Sequence, residues 1–285
     1  MDIIMHINYC EQGQSLAEAA RKAADWGFDG VEFRGVNTRR ELSDDAYIGE
    51  VAEAVEGAGL STVILGGPGP NFVAESADVR ERELAAAIAF YEKAASRLDL
   101  GVCNILLGRV SNPAAAVGPK EAMKHGSYAA REEMWSWVVD RTKRLARAVG
   151  EHGITLASET HAGFLHDSLE SSVRLVESVA EENFALTFDY GNMYRLSDTP
   201  DLPEVVSTLG ERIAYLHVKN VLELSPGVLL PTALSQGVIN NRELLRLVAA
   251  EGYDGPICIE APRPGDRERF AVEDLAYAKE LIAEL

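Results

Sequence analysis

Four ionisable residues close short hydrophobic segments in the second half of this 285-residue chain. They are Glu159 in LASETHAG, Asp189 in LTFDYGN, His217 in AYLHVKN and Glu260 in ICIEAPR. Each preceding run is short, apolar and rich in β-branched or aromatic residues, which is typical of a buried strand. Residues that end neighbouring parallel strands meet at one end of a sheet. We therefore expect three carboxylates and one imidazole to converge.

This combination of residue types predicts a divalent metal site. Converging carboxylates raise one another's pKa values and cannot all remain ionised unless a cation neutralises them. Oxygen donors with a single nitrogen suit octahedral Mn2+, Mg2+ or Co2+ better than a thiolate-rich structural zinc site. Mn2+ is the first expectation for a single ion, with Mg2+, Co2+ or Zn2+ as alternatives. One such residue alone would more often serve a turn or a cap, so the prediction depends on all four.

Short apolar runs and amphipathic segments alternate along the chain. The clearest helix begins with Ser15 and Glu18, which are spaced as a capping box. The predicted strands are 3–7, 30–33, 62–65, 102–107, 154–159, 184–189, 213–218 and 256–260. The predicted helices are 15–26, 44–58, 77–98, 129–151, 168–180, 201–209, 241–251 and 271–284.

Eight such strand and helix pairs predict an α/β fold, a single (β/α)8 TIM barrel that occupies residues 1–285 as one domain. A Rossmann fold is disfavoured because the first turn lacks GxGxxG, and the glycine and proline cluster at 66–70 has the wrong spacing. The connections 108–127 and 220–240 are long for a barrel. Both follow predicted strands, so we expect them to form binding loops or lids on the catalytic face.

The composition excludes several classes of protein. Hydrophobic residues make up 47% of the chain and charged residues 25%, which is ordinary for a folded globular protein. The net charge of -18 repels phosphate backbones and anionic lipid surfaces, so neither nucleic acid nor a membrane is an expected partner. Three dispersed cysteines and an N-terminus without a signal-peptide pattern favour a cytoplasmic location.

The motifs ASETHAG, FDYGNMY, YLHVKN and GYDGPICIE, with GFDGVEF near the start, resemble those of the xylose-isomerase-like TIM-barrel superfamily. The resemblance covers almost the whole chain, and the metal-site motifs follow one another at intervals of about one strand and helix unit. It implies that Glu159, Asp189, His217 and Glu260 bind one divalent ion, and that Glu159 and Glu260 are the catalytic acid and base. Related barrels often pair, so a homo-oligomer is also expected.

The chain departs from the superfamily's pattern at three positions. Asn192 stands where many members have a histidine, Asn220 where they have an aspartate, and Glu223 where some ketose epimerases have an arginine. A specific ketose substrate therefore cannot be transferred by resemblance. Asn192 is retained as a candidate substrate-binding residue at the position of that histidine.

Two candidate substrate-binding residues follow the strand ends. His161 lies two residues after Glu159, and Lys219 lies two residues after His217. Side chains two apart on a strand share a face, so both would sit further out, where a substrate hydroxyl or developing oxyanion is expected. A loop or salt-bridge role is the alternative for each.

Other polar residues lie at the ends of the remaining strands. Glu32 and Arg34 share a face of the second strand and are either substrate contacts or a structural ion pair. His6 on the first strand is either a sugar contact or a hydrogen-bonded core histidine. Arg109 and Arg263 would bind a phosphate or carboxylate if the substrate carries one.

The leading functional prediction is a metal-dependent isomerase or epimerase acting on a small sugar. One glutamate removes a proton beside a carbonyl, the metal stabilises the enediolate, and the other glutamate returns the proton. The alternative is a lyase that expels a β-hydroxyl from a keto sugar or cyclitol, as inosose and dehydroshikimate dehydratases of the same superfamily do. An apurinic endonuclease is less favoured, because a chain with six histidines and this negative charge does not suit a multi-zinc site on DNA. A non-catalytic binding barrel would require that the four residues bind no metal.

Overall fold

A computed structural model describes residues 1–35, 42–67, 69–116, 119–225 and 227–285. Pro68 of the glycine and proline cluster, and residues 117, 118 and 226 of the two long connections, lie outside the described residues. The strands are β1 (Ile3–His6), β2 (Gly30–Arg34), β3 (Thr62–Gly66), β4 (Val102–Ile105), β5 (Thr155–Glu159), β6 (Phe184–Phe188), β7 (Ile213–Val218), β8 (Val221–Ser225), β9 (Val228–Pro231) and β10 (Ile257–Ile259). The α-helices are α1 (Leu16–Trp26), α2 (Asp44–Ala58), α3 (Ala77–Ala95), α4 (Glu132–Gly150), α5 (Leu169–Val179), α6 (Tyr190–Met193), α7 (Leu202–Leu209), α8 (Asn241–Ala250) and α9 (Arg267–Ile282).

Eight parallel strands close into a barrel in the order β1-β10-β7-β6-β5-β4-β3-β2. This confirms the predicted (β/α)8 fold. The outward faces of the strands pack against the helices in one large apolar core, so the barrel strands are buried on both faces. None of the helices in the described ranges is long and apolar enough to cross a membrane.

The inward faces of the strands form two layers that differ in polarity. Successive side chains on a strand point to opposite faces, so residues two apart enter the barrel one above the other. The lower layer is an apolar cluster separate from the outer core, made of Ile4, Ile64, Val102, Ala157, Tyr215 and Cys258. Two residues further along five of these strands stand His6, Asn104, Glu159, His217 and Glu260. The polar residues therefore lie at the carboxyl end of the barrel, above an apolar floor.

Helix ends follow local capping groups. The capping box of Ser15 and Glu18 is present as predicted. The last helix begins at Arg267 rather than at residue 271, because the Asp266 side chain accepts a hydrogen bond from the Arg269 N–H and starts the helix earlier.

The long connection at 220–240 is not only a loop. Strands β8 and β9 form an antiparallel hairpin in which Leu222 pairs with Leu230 and Glu223 with Leu229. The sequence LELSPGVLLP predicts such a hairpin, since the dipeptide Pro-Gly, which favours turns, separates two runs rich in apolar residues. Our sequence analysis missed it.

Candidate metal centre

The four residues that close the strands come together at the carboxyl end of the barrel. Glu159 is the last residue of β5, Asp189 caps α6 directly after β6, His217 lies in β7, and Glu260 follows β10. One donor atom from each lies within 4.8 Å of the donor atoms of the others. The Nδ1 atom of His217 is 3.2 Å from Glu260 Oε2, 3.8 Å from Glu159 Oε1 and 4.0 Å from Asp189 Oδ2.

The ammonium group of Lys219 balances part of this negative charge. Its Nζ atom lies 2.7 Å from Asp189 Oδ2 and 2.7 Å from Glu260 Oε2. Burial acts to raise the pKa of Glu260, but Lys219, His6 and His217 hold it well below its ordinary value. Burial raises the pKa of Asp189; Lys219 opposes this shift, and the charges of Glu159 and Glu260 add to it.

The imidazole of His217 is surrounded by carboxylates. Burial acts to lower its pKa, but the charge of Glu32, followed by Cys258 and Glu159, raises it well above the ordinary value for histidine. Burial likewise acts to raise the pKa of Glu32, whereas the charge and the hydrogen bond of His217 lower it to about 2. Glu32 and His217 are therefore a buried ion pair when His217 is protonated.

The donor set fits a divalent cation. Glu159, Asp189 and Glu260 are three carboxylates, and Lys219 supplies one positive charge, so two negative charges remain in excess. Three oxygen donors and one imidazole nitrogen are the chemistry of octahedral Mn2+ or Mg2+ sites, and no thiolate belongs to this set. A divalent ion would also replace the proton on His217, because a metal and a proton compete for the same nitrogen.

Three asparagine amides hold the glutamates and the aspartate in place. Asn192 Nδ2 donates to Glu159 Oε1 at 2.8 Å and to Asp189 Oδ2 at 2.8 Å. Asn104 Nδ2 donates to the other oxygen of Glu159, Oε2, at 3.0 Å. Asn8 Nδ2 donates to Glu260 Oε1 at 3.3 Å. Amide donors fix the orientation of a carboxylate without adding charge to the site.

The remaining sequence-predicted residues lie at different distances from this cluster. The His6 Nε2 atom is 3.8 Å from Glu260 Oε1 and 3.8 Å from Glu32 Oε1. His161 is half-buried, and its Nδ1 atom lies 3.1 Å from the backbone oxygen of Ala162. The structure thus brings His6, but not His161, into contact with the ionisable cluster.

The expected structural pairing of Glu32 with Arg34 is wrong. Arg34 instead forms a two-pronged salt bridge with Glu11, with Nε 2.8 Å from Oε1 and Nη2 2.5 Å from Oε2. Glu32 is 1% exposed and lies inside the barrel, where His217 is its ionic partner at 2.8 Å. Arg34 is the last residue of β2 and is half-buried. It therefore lies at the carboxyl end of the barrel, where it pairs with Glu11.

The two arginines considered for an anionic substrate group have other surroundings. Arg263 Nη1 donates to the buried carboxylate of Asp274 at 2.6 Å and to the backbone oxygen of Ala261 at 3.1 Å. Arg109 is exposed, and its backbone forms an isolated bridge with Phe164. Arg263 therefore holds the last helix to the chain after β10.

Sequence reasoning missed His166, which is fully buried beside the site. The Leu107 N–H donates to its Nε2 atom at 3.1 Å, so Nδ1 carries the proton and donates to the backbone oxygen of Glu159. Burial lowers the pKa of His166 to about 4, which keeps the ring neutral. It lies in a loop seven residues after Glu159, and no sequence pattern shows that it turns back to the strand end.

The chain belongs to the xylose isomerase-like TIM barrel family, whose sequence model matches residues 20–281. An inosose dehydratase of Clostridium perfringens is 23% identical over 172 residues, which are 54% of this chain and 57% of that protein. The match thus spans little more than half the length of this curated relative.

Solved structures of low identity share the fold. A D-psicose 3-epimerase of Clostridium cellulolyticum H10, crystallised with D-tagatose, is 18% identical, with a TM-score of 0.77 and 99% of each chain covered. A xylose isomerase-like TIM barrel protein of Mycobacterium smegmatis, in complex with magnesium, is 19% identical, with a TM-score of 0.77 and coverage of 99% of this chain and 97% of that one. At these identities the likeness shows the architecture alone.

Proposed function

We propose that this protein is a divalent-metal-dependent isomerase or epimerase of a small carbohydrate. The observation that supports this most directly is the convergence of Glu159, Asp189, His217 and Glu260 within 4.8 Å at the carboxyl end of the barrel. Barrel enzymes build their active sites at this end. Mn2+ is the ion we expect first, and these four residues are its proposed ligands.

Glu159 and Glu260 are the proposed acid and base. A bound divalent ion would polarise a substrate carbonyl and so acidify the neighbouring C–H group. One glutamate removes that proton, and the other delivers a proton to a different carbon or to the opposite face. Their partners differ, since two neutral amides hold Glu159, whereas Glu260 accepts from the Lys219 ammonium as well as from the Asn8 amide. Such an asymmetric pair suits two groups with separate duties.

Lys219 and Asn192 are the proposed substrate contacts nearest to the cluster. The Lys219 ammonium lies against Glu260 and Asp189 and would stabilise charge that develops on a substrate oxygen. Asn192 already donates to two proposed ligands, so we expect it to orient them as well as the substrate. His6, His161 and Arg34 are more distant candidates for substrate hydroxyls.

A lyase is the second candidate, and Asn192 is the observation that favours it. The amide is not a general acid or base, so a histidine-dependent reprotonation at this position is not available. In a β-elimination the departing hydroxyl needs a proton, and the Lys219 ammonium is the proposed donor. The sequence match to an inosose dehydratase supports this reading for a keto sugar or cyclitol.

Proton NMR in D2O separates the two reactions. The Mn2+-loaded protein is incubated with keto sugars, cyclitols and 3-keto glycosides, and the ion is removed with a chelator before spectra are recorded. Deuterium beside the carbonyl together with an isomeric product supports the isomerase or epimerase. A new olefinic proton with loss of the β-hydroxyl supports the lyase. Absence of metal binding by the wild-type protein would contradict both.

A matched pair of variants links either product to the site. Glu260→Gln removes a proposed acid or base, whereas Glu211→Gln removes the same charge from an exposed position before β7, at the opposite end of the barrel. We expect product from Glu211→Gln and none from Glu260→Gln. Equal activity of the two variants would exclude Glu260 from the mechanism.

A further inference from the structure

Glu32 lies behind the imidazole of His217, on the side away from the three proposed carboxylate ligands. Its Oε2 atom is 2.8 Å from His217 Nε2, whereas the other ring nitrogen, Nδ1, faces Glu159, Asp189 and Glu260. Both Glu32 and His217 are 1% exposed. The ring is therefore held between a single carboxylate on one edge and the candidate metal site on the other.

Glu32 is held from several directions. The Tyr215 hydroxyl donates to Oε2 at 2.7 Å, and Asn104 Nδ2 donates to Oε1 at 3.2 Å. Gly66 in the neighbouring strand β3 leaves room for the Glu32 carboxylate, because a Cβ atom at this position would lie 1.8 Å from Glu32 Oε1. Hydrogen-bond donors on both oxygens and a glycine beside one of them fix the carboxylate inside the barrel. A buried group that is satisfied in this way is not free to bind a substrate hydroxyl.

We propose that Glu32 is a positioning residue that accepts a hydrogen bond from His217 Nε2 and thereby presents Nδ1 to the metal. An ionised carboxylate can only accept, so the proton between the two groups resides on Nε2. The neutral imidazole then has its lone pair on Nδ1, which is the nitrogen that faces the other three ligands. Carboxylate partners of this kind fix the orientation of a metal-binding histidine and increase its basicity. The inference rests on the proposed metal site and replaces the expectation that Glu32 binds substrate.

Metal affinity is the first test. Mn2+ is titrated into chelator-treated wild-type protein and the Glu32→Gln variant, with bound ion measured by competition against a chelating dye. We expect Glu32→Gln to bind Mn2+ about 10- to 100-fold more weakly, as is usual when the partner of a metal-binding histidine is lost. The matched control is Glu11→Gln, which removes the same charge near the mouth but contacts Arg34 rather than His217. Its affinity should equal that of the wild type.

The hydrogen bond of the His217 Nε2–H group is the second test, because a role for Glu32 that did not involve this bond would leave the Nε2 signal unchanged. Nitrogen NMR of histidine-labelled, Mg2+-loaded protein identifies which ring nitrogen carries hydrogen; His217→Asn assigns the signal among the six histidines. We expect hydrogen on Nε2 in both proteins, with the Nε2 signal shifted in Glu32→Gln because an amide oxygen is a weaker acceptor than a carboxylate. An unshifted signal would overturn the role of Glu32. Hydrogen on Nδ1 of the metal-loaded wild type would overturn the proposal.

Each remaining outcome has one meaning. If the wild type binds no divalent ion, the proposed function fails; if it binds Mn2+ and Glu32→Gln binds it equally well, only the role of Glu32 fails. Two bound ions per chain, with one lost in Glu32→Gln, would instead make Glu32 a ligand, since Glu32, His217 and Cys258 also present donor atoms within 4.8 Å of one another.

If Glu32→Gln does not fold, Tyr215→Phe removes one hydrogen bond to the same carboxylate. It should weaken Mn2+ binding by up to about tenfold, and unchanged binding would overturn the inference.

Discussion

The two halves of the barrel contribute different kinds of residue to the candidate site. Strands β5, β6, β7 and β10 carry or directly precede Glu159, Asp189, His217 and Glu260, the proposed ligands. The first half supplies groups that hold three of them: Asn104 in β4 contacts Glu159, Glu32 in β2 contacts His217, and Asn8 after β1 contacts Glu260. The closed barrel places these partners side by side or across the lumen. The proposed ligands are thus concentrated in one half, and the other half shares with Asn192 the task of orienting them.

The largest effect is expected at a proposed ligand that is also a proposed acid or base. Glu159→Gln keeps the shape of the side chain but removes its charge and its basicity. We expect the rate of deuterium exchange or product formation to fall by about 10²- to 10⁴-fold, with the thermal unfolding temperature retained or raised, because a buried like charge is removed. A variant of Glu159 with wild-type turnover would exclude Glu159 as acid or base.

The convergence of the four proposed ligands could be predicted from the sequence, because ionisable residues at the ends of apolar strands are rare. The same alternation of inward side chains that places Glu159 above Ala157 also places Asn104 above Val102 and His6 above Ile4. Asn104 could therefore have been found by extending the two-residue rule to β4. It was missed because an amide carries no charge and so gave no chemical signal.

Other parts of the site could not be read from the sequence. The contact of Glu32 with His217 crosses the barrel between residues 185 positions apart, and strand periodicity gives the face of a residue but not its partner across the lumen. Arg34 pairs with Glu11, the residue after the short 3-10 turn Ile7–Cys10, and no sequence pattern specifies the path of this segment. The alternation of side chains along each strand determines which residues face the inside of the barrel. Closure of the barrel determines which of these residues contact one another.

His166 forms hydrogen bonds to both halves of the barrel, and its pKa leads us to expect that stability depends on pH. Its ring accepts a hydrogen bond from Leu107, after β4, and donates one to Glu159, at the end of β5. Its pKa is about 4 in the folded protein, against an ordinary value of 6.5, so the unfolded chain binds the proton more tightly. The folded state should therefore lose up to about 3 kcal/mol from this group as the pH falls through that interval, and none above it.

Denaturant unfolding in the presence of a chelator measures this loss without interference from metal binding. The comparison variant is His166→Gln, whose side chain does not titrate. We expect its unfolding free energy to depend less steeply on pH between 6.5 and 4 than that of the wild type. Parallel curves for the two proteins would show that His166 is not held neutral.

Asn104 tests how strongly the first half supports the second. Asn104→Leu removes the donors to Glu159 and Glu32 while keeping a side chain of similar size. We expect Mn2+ affinity to fall about 10- to 100-fold, which is less than the loss of a ligand. Because Asn104 and Glu32 are in contact, the double variant with Glu32→Gln should lose less than the two single losses combined. Simple additivity would mean that the two residues act on the site independently.

The smallest effect should come from displacing Glu32 without removing any polar group. In Gly66→Ala the new methyl group would lie 1.8 Å from Glu32 Oε1, so the carboxylate must leave its present position, in which it bonds to His217. The added side chain requires no unusual backbone conformation, since Gly66 is not among the residues with positive φ in the described chain. We expect Mn2+ affinity to fall by up to about tenfold, as for one weakened hydrogen bond to a charged group. The control is Gly57→Ala on α2, where no atom lies within 4 Å of the added carbon. If both variants bind Mn2+ like the wild type, the position of Glu32 does not matter to the metal, and the first half of the barrel supports the site through Asn104 and Asn8 alone.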